Sequence, residues 1–216
     1  MAFSVAQTNM IKQQIRTFDV TDEAIVHLFA HSDRAAFVAP EYQDLAYADM
    51  MLPIACGQKM LAPKIQAKML QALNLKAHER VLEIGTGNGY LTSLLAQLAQ
   101  EVISVEIHRE LSREAEAHLL RIGVNNVKLQ VGNGASGWKL DAPVDAVIIT
   151  GALPILPKAF KSCIHEHGRV LAILGDGPAM VVSLIENDGA TYHLHPLFET
   201  EAPPLLKAVE PERFVF

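Results

Sequence analysis

At 216 residues, half of them hydrophobic, the chain can bury one sizeable core but is too short for two full domains. A net charge of −6 and a pI near 5.8 argue against a surface made to coat nucleic acid or an anionic membrane, which needs clustered Lys and Arg, and leave a small molecule or a protein as the expected partner. Cys56 and Cys163 are too few for a disulfide framework, and neither the opening MAFSVAQTNMIKQQIR nor any later stretch has an apolar run of signal-peptide or membrane-spanning length, so the expected setting is a soluble, reducing cytoplasm.

Residues 5–32 place apolar side chains at helical spacing (Met10, Ile11, Ile15, then Ala24, Ile25, Leu28, Phe29) and predict two short helices, the second starting around Thr21. The stretch 35–56 has aromatics and prolines without a sustained period, which predicts an ordered, irregular segment lying across another part of the chain. Residues 57–63, GQKMLAP, lead into PKIQAKMLQAL, where Ala62 and Pro63 open a helix. From about residue 78 the pattern changes. VLEI (81–84), VISVEI (102–107), VKLQV (127–131), VDAVIIT (144–150) and RVLAILG (169–175) read as buried strands, with helices expected near 89–99, 109–122 and 154–165. Near-continuous Val, Ile and Leu runs alternating with helices mean a parallel sheet covered on both faces. MVVSLIEN (180–187), a turn at Asp188-Gly189 and ATYHLHPLF (190–198) predict an antiparallel hairpin at the sheet edge. The expected organisation is a single domain over 1–216, with a helical and loop region over 1–77, a ligand-binding core over 78–175, and an edge hairpin and tail over 176–216.

The first predicted strand runs into Gly85-Thr86-Gly87-Asn88-Gly89-Tyr90 and then a helix, the place where open α/β sheets bind ligands. The dinucleotide fingerprint needs glycines at i, i+2 and i+5, whereas these fall at i, i+2 and i+4, which disfavours NAD. Glu83, two residues before the loop, would repel a pyrophosphate and suit an ammonium or sulfonium charge. Glu106 ends the second strand, 23 residues after Glu83, and is placed to accept both hydroxyls of a ribose. A ribose, a positive charge and no phosphate together fit S-adenosylmethionine. Other candidates weigh less. The pairs His165/His167 and His193/His195 lack a third ligand, so no metal is expected. Cys56 has no evident partner to lower its pKa. Trp138 reads as packing and Asp145 as a strand-start charge.

The string VLEIGTGNGY resembles the first motif of class I S-adenosylmethionine-dependent methyltransferases. QQIR (13–16), FVAPEYQDLAYAD (37–49), LPI and GQ (52–54, 57–58), SVE (104–106), VGNG (131–134) with GW (137–138) and APVDAVIITGA (142–152) extend that resemblance, in order, to the protein-L-isoaspartate (D-aspartate) O-methyltransferases. It covers roughly residues 10–175. What it implies is a doubly wound, mostly parallel sheet with an antiparallel edge hairpin and an N-terminal helical extension, carrying methyl transfer to the side-chain carboxylate of isoaspartyl residues in damaged proteins. By position, Glu83, Gly85, Thr86, Gly87 and Gly89 would line the methionine part of the cofactor and Glu106 its ribose. Asn133 would lie beside adenine, where the family usually has Asp. The family's catalytic loop reads GQTIS, and its Thr and Ser correspond to Lys59 and Leu61 here. Leu61 thus lacks a hydroxyl that the family places near the reacting carboxylate, and Lys59 supplies a cation that could pair with that carboxylate. The tail after the hairpin also departs from the family pattern. A different methyl acceptor on the same scaffold, or a member that binds cofactor without turnover, are the alternatives these departures leave open.

Overall fold

The computed structural model describes residues 4–178 and 180–210, so the last residues of the predicted tail and Ala179 lie outside the described residues. Ser4 caps the first helix, α1 (Val5–Asn9), accepting from the Gln7 amide. The helix continues through a π-helical turn at Met10–Ile15 and a 3-10 turn at Arg16–Phe18 and stops at Asp19 in the left-handed region. Helix α2 (Glu23–His31) is capped by Asp22, whose side chain accepts from the Ala24 and Ile25 amides, so the start lies one residue beyond the expected Thr21. Two 3-10 turns, Arg34–Phe37 and Pro40–Leu45, make up most of the irregular segment. It is fastened where it crosses the rest of the chain, because Asn88 and Arg121 both donate to its carbonyls, at Phe37 and Ala36.

Strands β1 (Leu52–Pro53) and β2 (Lys59–Met60) form a two-residue antiparallel ladder that closes the loop 54–58 before α3 (Pro63–Leu73). Pro63 sits in the first turn of α3, where a missing N–H costs nothing. Then come β3 (Arg80–Ile84), α4 (Tyr90–Leu98), β4 (Glu101–Glu106), α5 (Arg109–Arg121), β5 (Val127–Val131), β6 (Val144–Leu153), β7 (Ile164–Leu174), β8 (Met180–Asn187) and β9 (Tyr192–Thr200). Their spatial order is β5-β4-β3-β6-β7-β8-β9. Strands β3 to β7 pair in parallel, whereas β8 and β9 are antiparallel. Chain order reverses at β3, which lies between β4 and β6, and a crevice therefore opens at the carboxyl ends of these strands.

The central strands β3, β4, β6 and β7 are apolar on both faces because both faces are covered, whereas β5, expected to be buried, lies at the sheet edge with Lys128, Gln130 and Val131 exposed. Val81, Val102, Ile148 and Leu171 pack against α3, α4 and the N-terminal helices. Leu82, Ile103, Val147 and Val170 pack on the other side, with Phe160 and Cys163. The helix expected over 154–165 does not form: only a 3-10 turn at Lys158–Cys163 is present. Pro154 and Pro157 supply no amide to a helical ladder, and each pushes its preceding residue out of the helical region, so β6 extends to Leu153 instead.

Arg169 on β7 locks α3 to the sheet, donating to the Leu73 and Asn74 carbonyls and forming a two-pronged ion pair with Glu79 at 2.9 and 2.7 Å. Partial burial works against ionisation of Glu79, but the hydrogen bonds from Arg169 and the Lys76 amide outweigh it and hold the carboxyl below its ordinary 4.5. A lowered folded-state pKa stabilises the protein above 4.5, and that contribution fades as pH falls further. Glu79→Gln should therefore destabilise the protein by about 1–3 kcal/mol at pH 7, with the gap to wild type closing under acid in urea melts; a gap that does not change with pH would contradict this assignment.

Candidate active site

The crevice spans about 640 Å³, part of it open to solvent, and is built by backbone as much as by side chains. At the end of β3 the chain turns through Gly85, Gly87 and Gly89, all with positive φ. At Gly85 a side chain is excluded by the Thr150 hydroxyl, which donates to the Ile84 and Gly85 carbonyls. At Gly89 the reason is packing, since a Cβ there would lie 2.9 Å from the Ala115 Cβ and 3.1 Å from its Cα, where α4 begins against α5. Gly89 thus seats a helix, and it does not line the cleft.

Glu106 bridges the two loops that end β3 and β4. Its Oε2 accepts from Gly87 N and its Oε1 from His108 N, both at 2.9 Å. It is 5% exposed and lines the cleft, and each oxygen keeps a second lone pair for a ligand hydroxyl. Asn133 stands on the loop after β5, exposed at the cleft wall, with its Oδ1 accepting from Ala135 N. The neighbouring Gly132 leaves room for the Trp138 ring, whose Nε1 donates to Gln130.

Glu83 departs from expectation. Its side chain points away from the cleft, is fully buried, and accepts from Thr92 Oγ1 and Ser104 Oγ at 2.6 Å each. Ser104 in turn bonds the Thr86 hydroxyl at 2.5 Å, so Glu83 supports the glycine loop from beneath. Burial pushes its carboxyl up to about 8, against the pull of the two hydroxyls, and it is protonated at neutral pH. Flanking Leu82 and Ile84 indicated an interior strand but did not reveal which face Glu83 takes. A direct electrostatic contact between Glu83 and a cofactor cation is therefore replaced by support of the loop, and Thr86 belongs to the same chain of hydroxyls.

The loop 54–61 forms the opposite wall. Cys56 and Gly57 both adopt left-handed backbone, and the loop closes through Ile54 N to the Gln58 carbonyl. Cys56 is exposed beside Glu110, and slight desolvation together with that carboxylate raises its thiol pKa, so it is no activated nucleophile. Lys59 is exposed and forms no ion pair among the described residues, and it is the one cation lining the cleft. Leu61 is buried and faces a smaller adjoining hollow together with Gln66, Thr86 and Asn88.

Sequence reasoning missed the remaining wall. Pro203–Leu206 lie along the end of β6, fixed by Ala152 N to the Pro203 carbonyl and Leu205 N to the Ala152 carbonyl, both at 2.8 Å. Gly151 permits this approach, as a Cβ there would meet the Leu205 Cα at 3.0 Å. The only hint was the small pair Gly151-Ala152 after an apolar strand; nothing in APPLL indicates where it docks. Asp145, read as a strand-start charge, accepts from Arg80 N and ties β6 to β3.

The sequence profile of the protein-L-isoaspartate (D-aspartate) O-methyltransferases matches residues 5–199. A protein-L-isoaspartate O-methyltransferase of Opitutus terrae is 37% identical over 212 residues, covering 95% of this chain and 91% of its own. One from Anaeromyxobacter dehalogenans is 41% identical over 172 residues, covering 79% and 82%. Among solved structures, a protein-L-isoaspartate O-methyltransferase superposes with TM-score 0.80 at 22% identity, covering 92% of this chain and 65% of the other. A Plasmodium falciparum protein of that description, in complex with S-adenosyl-L-homocysteine, gives 0.80 at 19% identity over 94% and 98%. At those identities the structures show the fold.

A carboxyl whose folded-state pKa is raised stabilises the protein below its ordinary 4.5 and loses that contribution as pH rises through about 8. Relative to Glu83→Gln, the wild type should thus lose stability across this window at up to about 1.4 kcal/mol per pH unit, as read in urea melts. A constant difference would mean that Glu83 titrates normally.

Proposed function

Because the chain belongs to the protein-L-isoaspartate (D-aspartate) O-methyltransferase family, we propose that its cleft binds S-adenosylmethionine and that it methylates the side-chain carboxylate of isoaspartyl residues in proteins. The observation carrying this reading is the donor and acceptor set of the cleft. One ribose-competent carboxylate, Glu106, faces a glycine loop that lets backbone approach a ligand, and among the described residues Lys59 is the one cation lining the cleft, with no cluster there to hold a phosphate. Glu106 takes the ribose hydroxyls, Asn133 accepts from the adenine amino group, and the backbone of Gly85 and Gly87 lies along the methionine part. The cofactor supplies an electrophilic methyl on a sulfonium.

The chain's own contribution is orientation and exclusion of water. The acceptor carboxylate is already ionised at neutral pH and needs no general base, so alignment and desolvation carry the rate. Lys59, in no ion pair among the described residues, holds the incoming carboxylate at the mouth. Leu61 presents an aliphatic wall at the position where the family resemblance implies a hydroxyl. This buried leucine favours, as second reading, a different carboxylate or hydroxyl acceptor on the same cofactor site. We place the enzyme in the cytoplasm, consistent with two free cysteines and with no helix among the described residues long and apolar enough to cross a membrane. The net charge of −6 makes a protein a more fitting partner than nucleic acid.

Incubating the protein with methyl-labelled S-adenosylmethionine and matched isoaspartyl and aspartyl peptides tests this. Base-labile label on the isoaspartyl peptide alone is expected; label on neither peptide but on proteins of a lysate would sustain the second reading instead. Leu61→Ser should raise kcat on the isoaspartyl peptide up to about tenfold, the value of one hydrogen bond, and an unchanged or lower kcat would show that the hydroxyl has no part in this loop.

A further inference from the structure

Arg34 is fully buried, yet it pairs with no carboxylate among the described residues. Burial lowers its pKa to about 10, which still leaves it charged at neutral pH. A lone cation in the interior is expensive unless it is hydrogen-bonded, and here each of its three nitrogens donates to a different part of the chain. Nε donates to the Ala46 carbonyl at 2.8 Å, Nη1 to Gln66 Oε1 on α3 at 2.5 Å, and Nη2 to the Leu61 carbonyl at 2.7 Å. The guanidinium carbon also lies 5.0 Å from the centre of the Tyr90 ring, a cation over a π face. Tyr90 is the residue that ends the glycine loop, and its hydroxyl is held in turn by Ser32.

The arrangement links the two walls of the site through one rigid, planar group. On one side is the carbonyl of Leu61, at the end of the loop that carries Lys59. On the other is Tyr90, the first residue of α4 beyond Gly85–Gly89. The hollow lined by Leu61, Gln66, Thr86 and Asn88 lies between them. Resting on the methyltransferase reading above, we propose that Arg34 is a positioning residue that sets the spacing between the acceptor-side loop 57–61 and the cofactor-side loop 85–89. In-line transfer depends steeply on that spacing, while each ligand's affinity depends on its own wall, so loosening Arg34 lowers turnover and spares cofactor binding. Lysine cannot replace it, since one ammonium does not reach three divergent acceptors in the plane of a guanidinium.

The test compares wild type, Arg34→Lys and Arg34→Met by hydrogen exchange, calorimetry with S-adenosylmethionine, and turnover of the isoaspartyl peptide. Met removes the charge at similar volume but leaves the Ala46, Leu61 and Gln66 acceptors unpaired, so each variant is first shown folded by its thermal melt. Amides over 58–62 and 86–90 should exchange at least about tenfold faster while those in β4 and β7 stay as in wild type. The kcat should fall about ten- to a hundredfold with the cofactor Kd within about threefold of wild type. Unchanged exchange in the two loops, or acceleration spread evenly through the sheet, overturns the proposal, as does a Kd that rises in step with the loss of kcat. Should the Arg34 variants not fold, Gln66→Ala removes one acceptor and leaves the guanidinium in place; faster exchange confined to the same two loops is expected, and none would count against it. A wild type inactive on the peptide would overturn the proposed reaction, while the exchange pattern would still decide the role of Arg34.

Discussion

The carboxylate of Glu106 holds two loop amides at once, Gly87 N and His108 N, and so fixes the ends of β3 and β4 side by side. The rest of the site is arranged around that constraint. The loop needs glycine at 85 and 89 on two counts: both adopt positive φ that a side chain would resist, and Thr150 and Ala115 fill the space a Cβ would take. The loop is then held from several directions: Glu106 from the β4 side, Phe37 through Asn88 from the front segment, and the Thr86-Ser104-Glu83 hydroxyl chain from below. A pocket floor made of backbone amides carries little reorganisation cost when a ligand arrives.

Two buried ionisable groups support this floor by opposite means. Glu83 is tolerated by remaining protonated, and two hydroxyls occupy one of its oxygens. Arg34 remains charged and, among the described residues, is met by carbonyl dipoles and a tyrosine ring with no carboxylate paired to it. Neither group is used as acid or base. Both convert a local polar cost into a fixed loop position, which is what a reaction limited by alignment requires.

Much of the fold was legible because its signals are local. Val127–Val131 and Met180–Asn187 form strands over the very residues that the apolar runs marked, and Asp188-Gly189 begins the hairpin turn between β8 and β9. The helix placed over 154–165 failed because Pro154 and Pro157 outweighed a favourable apolar spacing. In the site, the glycine spacing and the glutamates at 83 and 106 were visible, but their faces were not: two carboxylates near the ends of neighbouring parallel strands look alike in sequence, and only register and packing send Glu83 inward and Glu106 to the cleft. The docking of Pro203–Leu206 on Ala152 is a contact across some fifty residues with no local signature. Arg34, within an ordinary DRAAF stretch, shows its importance only when its three acceptors, drawn from distant segments, are seen together.

Glu106 is proposed to do double duty, bracing the loop through two amides while its free lone pairs take the ribose of S-adenosylmethionine. Isothermal calorimetry with S-adenosylmethionine on wild type and Glu106→Gln, each shown folded by its thermal melt, tests it most directly. Losing the charged hydrogen bonds should raise the Kd by about ten- to a hundredfold, corresponding to roughly 1–3 kcal/mol. A folded variant that binds the cofactor as tightly as wild type would contradict the assignment of the cleft.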